Sequence, residues 1–126
     1  MDDIFKISND EKRANALKEM AEDRLSSINS FKEPYRIIEE YYEIIKELIT
    51  SFMYKSGFKT LSHKALVEFA SKNIKSLTTQ ETALIDELRI KRNNIVYYGE
   101  KVSHEFLKSR QETIKIIINK LMNAVN

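Results

Sequence analysis

PYRIIEEYYEIIKELITSFMYKSG, residues 34–57, decides the fold. Proline suits the first position of a helix, where the N–H it lacks would have no partner. Glycine suits the position just past a helix end, where a left-handed residue closes the last turn. Between Pro34 and Gly57, Ile37, Ile38, Tyr41, Ile44, Ile45, Leu48, Ile49 and Phe52 recur mostly at spacings of three and four. They occupy much of the helix circumference. A stripe that wide predicts neighbours on two sides, or a second subunit on one of them. This is the central helix.

On its N-terminal side a first helix is predicted to open near Ser8 or Asn9, with Asp10 and Glu11 favourably placed in the first turn. Ala14, Leu17, Ala21, Leu25 and Ile28 form its apolar face, and Phe31 closes it. On the C-terminal side Ser62 caps a shorter helix carrying Leu66, Phe69, Ala70 and Ile74. Thr78 with Glu81 three residues later makes a capping box for a fourth helix that ends at Gly99. Ser103 opens a fifth, which continues through TIKIIINKLMNAV. The whole chain holds only two glycines and one proline, too little turn punctuation for a sheet protein of this size. No repeat, low-complexity tract or linker interrupts it. The prediction is an all-α, up-and-down bundle of about five helices, residues 1–126 forming a single domain.

Composition narrows the chemistry. With 42% hydrophobic and 32% charged residues, the chain reads as soluble and globular rather than disordered. It has no cysteine, which removes disulfides and thiolate metal sites. There is no HExxH, no nucleophile elbow and no glycine-rich phosphate loop, so no metal or cofactor is expected and any phosphate site must be built from side chains. Glu39, Glu40, Glu43 and Glu47 line the central helix and read as a solvated face. The N-terminal stretch MDDIFKISNDEKR has no signal-like apolar run, and no segment reaches the roughly 20 apolar residues of a membrane span. A cytoplasmic protein is expected. Charge is uneven: residues 1–63 carry 10 basic and 12 acidic side chains, residues 64–126 carry 11 and 7. That tilt suits a polyanionic partner for the second half.

The fourth helix ends in an unusual way, RNNIVYYG, residues 92–99. At roughly 100° per residue, Leu84, Leu88 and Ile95 lie within about 40° of one another, and Arg92 falls at about 80° on that scale. A guanidinium beside the apolar stripe needs a partner. It snorkels past the core, or caps the helix carbonyls, or holds an anion. Arg89 lies one turn earlier, Asn93 one turn after Arg89, and Tyr97 and Tyr98 follow.

Arg92 and Asn93 on a late helix of a bundle, followed at Tyr97 by a ring-bearing polar side chain, resemble the HEPN family (higher eukaryotes and prokaryotes nucleotide-binding domains). The resemblance spans the whole chain in length and helix order, and its motif part is Arg92-Asn93 with Ile95 to Gly99. It implies a homodimer in which two copies of the motif face each other in a cleft. It further implies an RNA- or nucleotide-binding protein, among whose relatives are metal-independent ribonuclease toxins paired with nucleotidyltransferase antitoxins. Family members carry histidine where this chain has Tyr97. His63 and His104 do not fit that spacing, and each simply follows a helix cap.

On this reading Arg92, Asn93 and Tyr97 are the candidate catalytic residues, with Arg89 and Tyr98 as further ligand contacts. Arginine suits phosphate because its planar fork makes bidentate contacts at any working pH. Asparagine can orient a phosphate oxygen or a hydroxyl. Tyrosine, ordinarily near pKa 10, is a poorer base at neutral pH than histidine near 6.5, so the substitution favours binding over cleavage. Two alternatives remain: a non-catalytic dimeric module docking a nucleotidyltransferase through the same strip, and a bundle holding a mononucleotide at Arg92. The surplus apolar circumference of the central and fourth helices independently predicts a two-fold interface.

Overall fold

The computed structural model describes residues 3–126, and four of its five helices fall where the caps place them. Five α-helices follow in order: α1 Glu11–Ser26, α2 Pro34–Ser56, α3 His63–Asn73, α4 Thr79–Tyr98 and α5 His104–Val125. Pro34 stands in the first turn of α2, and Gly57 ends it in the left-handed region at φ 88°. Thr78 and Glu81 form the reciprocal capping box of α4, Thr78 Oγ1 accepting from Glu81 N at 3.1 Å and Glu81 Oε1 from Thr78 N at 2.9 Å. Gly99, φ 66°, closes that helix. Ser62 and Ser103 cap α3 and α5 through their hydroxyls.

The cap of α1 is Asp10 rather than Ser8 or Asn9. The backbone explains the shift. Ile7 N donates to Gly57 O at 2.9 Å and Asp10 N to Tyr54 O at 3.0 Å, so the preceding residues are tied to the end of α2. That tie continues into an antiparallel pair that the helical pattern did not announce: β1 Ile4–Lys6 against β2 Phe58–Thr60, with Ile4 opposite Thr60. A Cβ at Gly57 would meet Ile7 O at 3.1 Å, so the glycine serves both the left-handed turn and this crossing. Ile28 and Ser30 bound a short 3-10 turn between α1 and α2.

α2 is the axle of the bundle. It packs against α1, α3, α4 and α5, and Ile38, Tyr41, Tyr42, Ile44, Ile45, Leu48 and Ile49 are all enclosed. Its wide apolar face is therefore consumed within the chain. The glutamates of α2 are not a solvated face either. Glu47 is buried, with Arg24 Nε of α1 donating to its Oε2 at 3.0 Å, while Arg24 Nη1 reaches Glu40 Oε2 at 3.1 Å. Like charges four residues apart repel, so this row needs cations from neighbouring helices. No helix among the described residues is long and apolar enough to cross a membrane.

Candidate functional site

The buried residues of α4 are Glu81, Ile85, Leu88 and Ile95. On a helical wheel they span about 20° to 100°, so Arg92 at about 80° lies inside the core-facing arc rather than beside it. Leu84, counted above as core, sits at the rim and is half-buried. Arg92 thus projects toward α2 with its side chain only 20% exposed, and Arg89, at 17%, flanks it. Two cations enter the interior at the seam of α2, α3 and α4.

Their partners are uneven. Arg89 Nε donates to Asp86 Oδ1 at 2.8 Å, a close pair on its own helix. Arg92 Nη1 donates to Asn93 Oδ1 at 3.3 Å, so the first two motif residues are brought together. The carboxylate nearest Arg92 is Glu43 of α2, and Nη2 lies 3.7 Å from its Oε2. Glu43 has a closer cation in Lys46, at 2.8 Å. For comparison, Arg110 of α5 takes Glu87 bidentately at 2.9 and 3.0 Å. A guanidinium has five N–H donors, and Arg92 uses few of them well.

Tyr97 and Tyr98 lie elsewhere. A residue five places on is rotated by about 140° on a helix, so Tyr97 leaves Arg92 and turns outward. Within this chain neither phenol hydrogen-bonds to Arg92 or stacks on it; they are 69% and 81% exposed. Together with Ile90 and Val96 they leave large apolar groups of α4 uncovered. Lys91 points away too, pairing with Glu100 Oε1 at 3.0 Å over the Phe106 ring.

The phenol beside the two arginines is instead Tyr42 of α2, fully enclosed. Its pKa is pushed up to about 12 because burial disfavours the phenolate, against the pull of Arg89 and Arg92. The Tyr42 ring stands 6.0 Å from that of His63, the first residue of α3. Burial, and then the nearby cations Lys46 and Arg92, hold the His63 imidazole below its ordinary pKa. His63 also lines a cavity of about 250 Å³ with Lys46, Thr60 and Ser62. His104, by contrast, is exposed at the start of α5.

In sequence, Glu43 reads as part of a solvated face and His63 as a residue following a cap, and Tyr42 and Lys46 are given no role. One signal pointed to Glu43: Glu39, Glu43 and Glu47 repeat every four residues with one sign, which requires outside cations. For Tyr42 and His63 the signal is tertiary, since each sits unremarkably in its own helix. No protein-family model matches the chain, and no curated protein matches it.

Proposed function

We propose that this chain binds RNA or a nucleotide through Arg92 and Asn93, in the manner of a HEPN-like domain, with Arg89 beside them and Tyr97 and Tyr98 at the rim. The observation that carries the reading is the Arg92 guanidinium, drawn into a bundle seam yet held by Glu43 only at 3.7 Å. A planar cation with free donors in a half-dry setting is built for an oxyanion. In the homodimer this reading expects, the exposed Ile90, Val96, Tyr97 and Tyr98 supply the apolar contact, on the side of α4 turned away from Arg92. Ribonuclease toxin activity is the catalytic form of the proposal. Arg92 would then stabilise charge developing on the phosphate, while Tyr97, lacking histidine's pKa, is an inefficient proton acceptor.

Incubating the full chain and Arg92→Ala with total RNA and with a labelled oligonucleotide tests it. Wild type is expected to bind at least tenfold more tightly, with cleavage, if any, lost in the variant. Equal binding by the two proteins sinks the reading.

A second reading has its own observation. Tyr97 and Tyr98, at 69% and 81% exposed, suit a docking surface for a nucleotidyltransferase, or acceptors of a nucleotide from it, on a non-catalytic dimeric module. Co-purification with a nucleotidyltransferase that is lost on Tyr97→Ala/Tyr98→Ala, with RNA binding absent throughout, would favour it.

A further inference from the structure

We infer that a second copy of this chain docks antiparallel along the outer face of α4, with a two-fold axis beside Ile90, so that the Tyr97 ring of each copy seats on Ala83 of the other. This pairing gives a direction and a register to the homodimer that the nucleotide-binding reading expects, and it stands whatever Arg92 holds.

At about 100° per residue, Thr79, Ala83, Ile90 and Tyr97 lie within about 40° of one another, on the side of α4 opposite its core-facing arc. Ala83, Ile90 and Tyr97 recur every seven residues, the repeat that keeps one stripe of a helix against a partner helix. All three stand uncovered: Ala83 is exposed, Ile90 is 48% exposed and Tyr97 69%. Arg92 lies about 160° round the helix from Ile90, so this is not the cleft of facing motifs that the resemblance implies.

The stripe complements itself in one direction only. Ile90 sits midway between Ala83 and Tyr97, seven residues from each. In an antiparallel pair Ile90 meets Ile90, and at both ends the smallest side chain of the stripe meets the largest. The surface has room there. Two hollows of about 270 and 400 Å³ border Ala83, one against α3 and one running along α4 to Asn94. A parallel pair would set Tyr97 on Tyr97 and Ala83 on Ala83, crowding one end and leaving the other open.

Charge selects the same direction. Carboxylates flank the first half of the stripe, at Asp86 and Glu87, and amides flank the second, at Asn93 and Asn94. About a two-fold at Ile90, Glu87 faces Asn94 of the partner subunit and Asp86 faces the partner's Asn93. Both carboxylates keep exposed surface, 42% for Asp86 and 43% for Glu87. Arg92 Nη1 donates to Asn93 Oδ1, which leaves the Asn93 amide nitrogen to donate across the seam. In a parallel pair each carboxylate would meet its own copy, a like-charge contact that disfavours that orientation.

The chain has no cysteine, so single thiols report the geometry. Full-length Ile90→Cys, Ala83→Cys and Tyr97→Cys, with Ile116→Cys on the exposed side of α5 as control, are oxidised at micromolar concentration and resolved on non-reducing gels. A tag on Tyr97→Cys separates the mixed product by size. Helix axes about 8–10 Å apart bring facing positions within the roughly 4.4–6.8 Å between Cα atoms that a disulfide spans. Ile90→Cys is expected to cross-link about tenfold faster than the control, and Ala83→Cys to cross-link with Tyr97→Cys in an equal mixture but not with itself. Self-cross-linking of Ala83→Cys and of Tyr97→Cys would show a parallel pair. Rates no higher than the control, or an inert mixture, would show that the stripe does not pair in this register. Each of these overturns the inference. Asn94 gives a second test that keeps the apolar stripe intact. Asn94→Lys faces the partner's Glu87 and is expected to hold or tighten the dimer in sedimentation equilibrium, whereas Asn94→Glu weakens it by about fivefold or more, the contact occurring twice. Equal weakening by both variants contradicts the antiparallel pairing. RNA binding by Arg92→Ala is read separately. If the cross-links fail while Arg92→Ala still loses RNA, the docking is wrong and the nucleotide-binding reading survives; if they form while Arg92→Ala binds RNA as wild type does, the reverse holds.

Discussion

Tyr42 is a fully enclosed phenol whose hydroxyl has no hydrogen-bond partner among the described residues, in the field of Arg89 and Arg92, which are 17% and 20% exposed. Its raised pKa fixes a sign. Below about pH 10 the folded and unfolded chains both keep the proton; from there up to about 12 the unfolded chain gives it up first. The Tyr42 contribution to stability is therefore full below pH 10 and drains away as pH rises through that window. Urea unfolding of wild type and Tyr42→Phe at pH 8 and pH 11 should show the variant gaining about 1 kcal/mol relative to wild type at the higher pH. A constant difference between the two proteins would place the hydroxyl in water. Arg92 shows why part of this cluster was readable. Its angle on the helical wheel requires a partner from another helix, and that much is sequence information. Which partner it meets is not. Glu43 and Tyr42 lie about fifty residues away in the chain, and only the packing of α4 on α2 selects them.

The helices themselves were legible because their ends are written in local chemistry. Pro34, Gly57, the Thr78–Glu81 box, Ser62, Gly99 and Ser103 each act within one turn of where they stand. The failures share a different cause. The β1–β2 pair and the late start of α1 depend on Ile7 and Asp10 bonding to the end of α2, contacts between distant segments that no local period encodes. The α2 glutamates mislead for the same reason, since their spacing fits a wet face until Arg24 arrives from α1. Arg24 and Glu47 then make a specific expectation for the α1–α2 contact. Burial raises the Glu47 pKa in spite of Arg24, so the pair is electrostatically stressed. Arg24→Met strands Glu47 and should cost about 3 kcal/mol in urea unfolding at pH 7, whereas Arg24→Met/Glu47→Met should recover most of that loss. Equal losses in the single and double variants would show that the pair is not what joins these helices.

At the level of the whole molecule, α2 spends its apolar circumference inside the bundle, and of the two helices expected to meet a second subunit α4 keeps exposed apolar groups. Ile90 and Tyr97 share one face of α4, with Val96 and Tyr98 about 100° to either side, and all four are about half to four-fifths exposed. Multi-angle light scattering at micromolar concentration is expected to give a particle near twice 14.8 kDa, shifting toward the monomer for Val96→Glu/Tyr97→Glu. A wild-type particle of 14.8 kDa throughout would confine the α4 face to some other role.

The account stands or falls on whether the guanidinium of residue 92 meets an anion. The side-chain Nε–Hε resonance of Arg92, assigned by its loss in Arg92→Lys, can be followed by nitrogen-15 NMR while a short RNA is titrated into the full chain. The expected result is a saturable shift of that resonance, with Arg36, exposed in the first turn of α2, unmoved. An Arg92 signal that stays in place while RNA binds elsewhere, or that shifts no more than Arg36, would contradict the account.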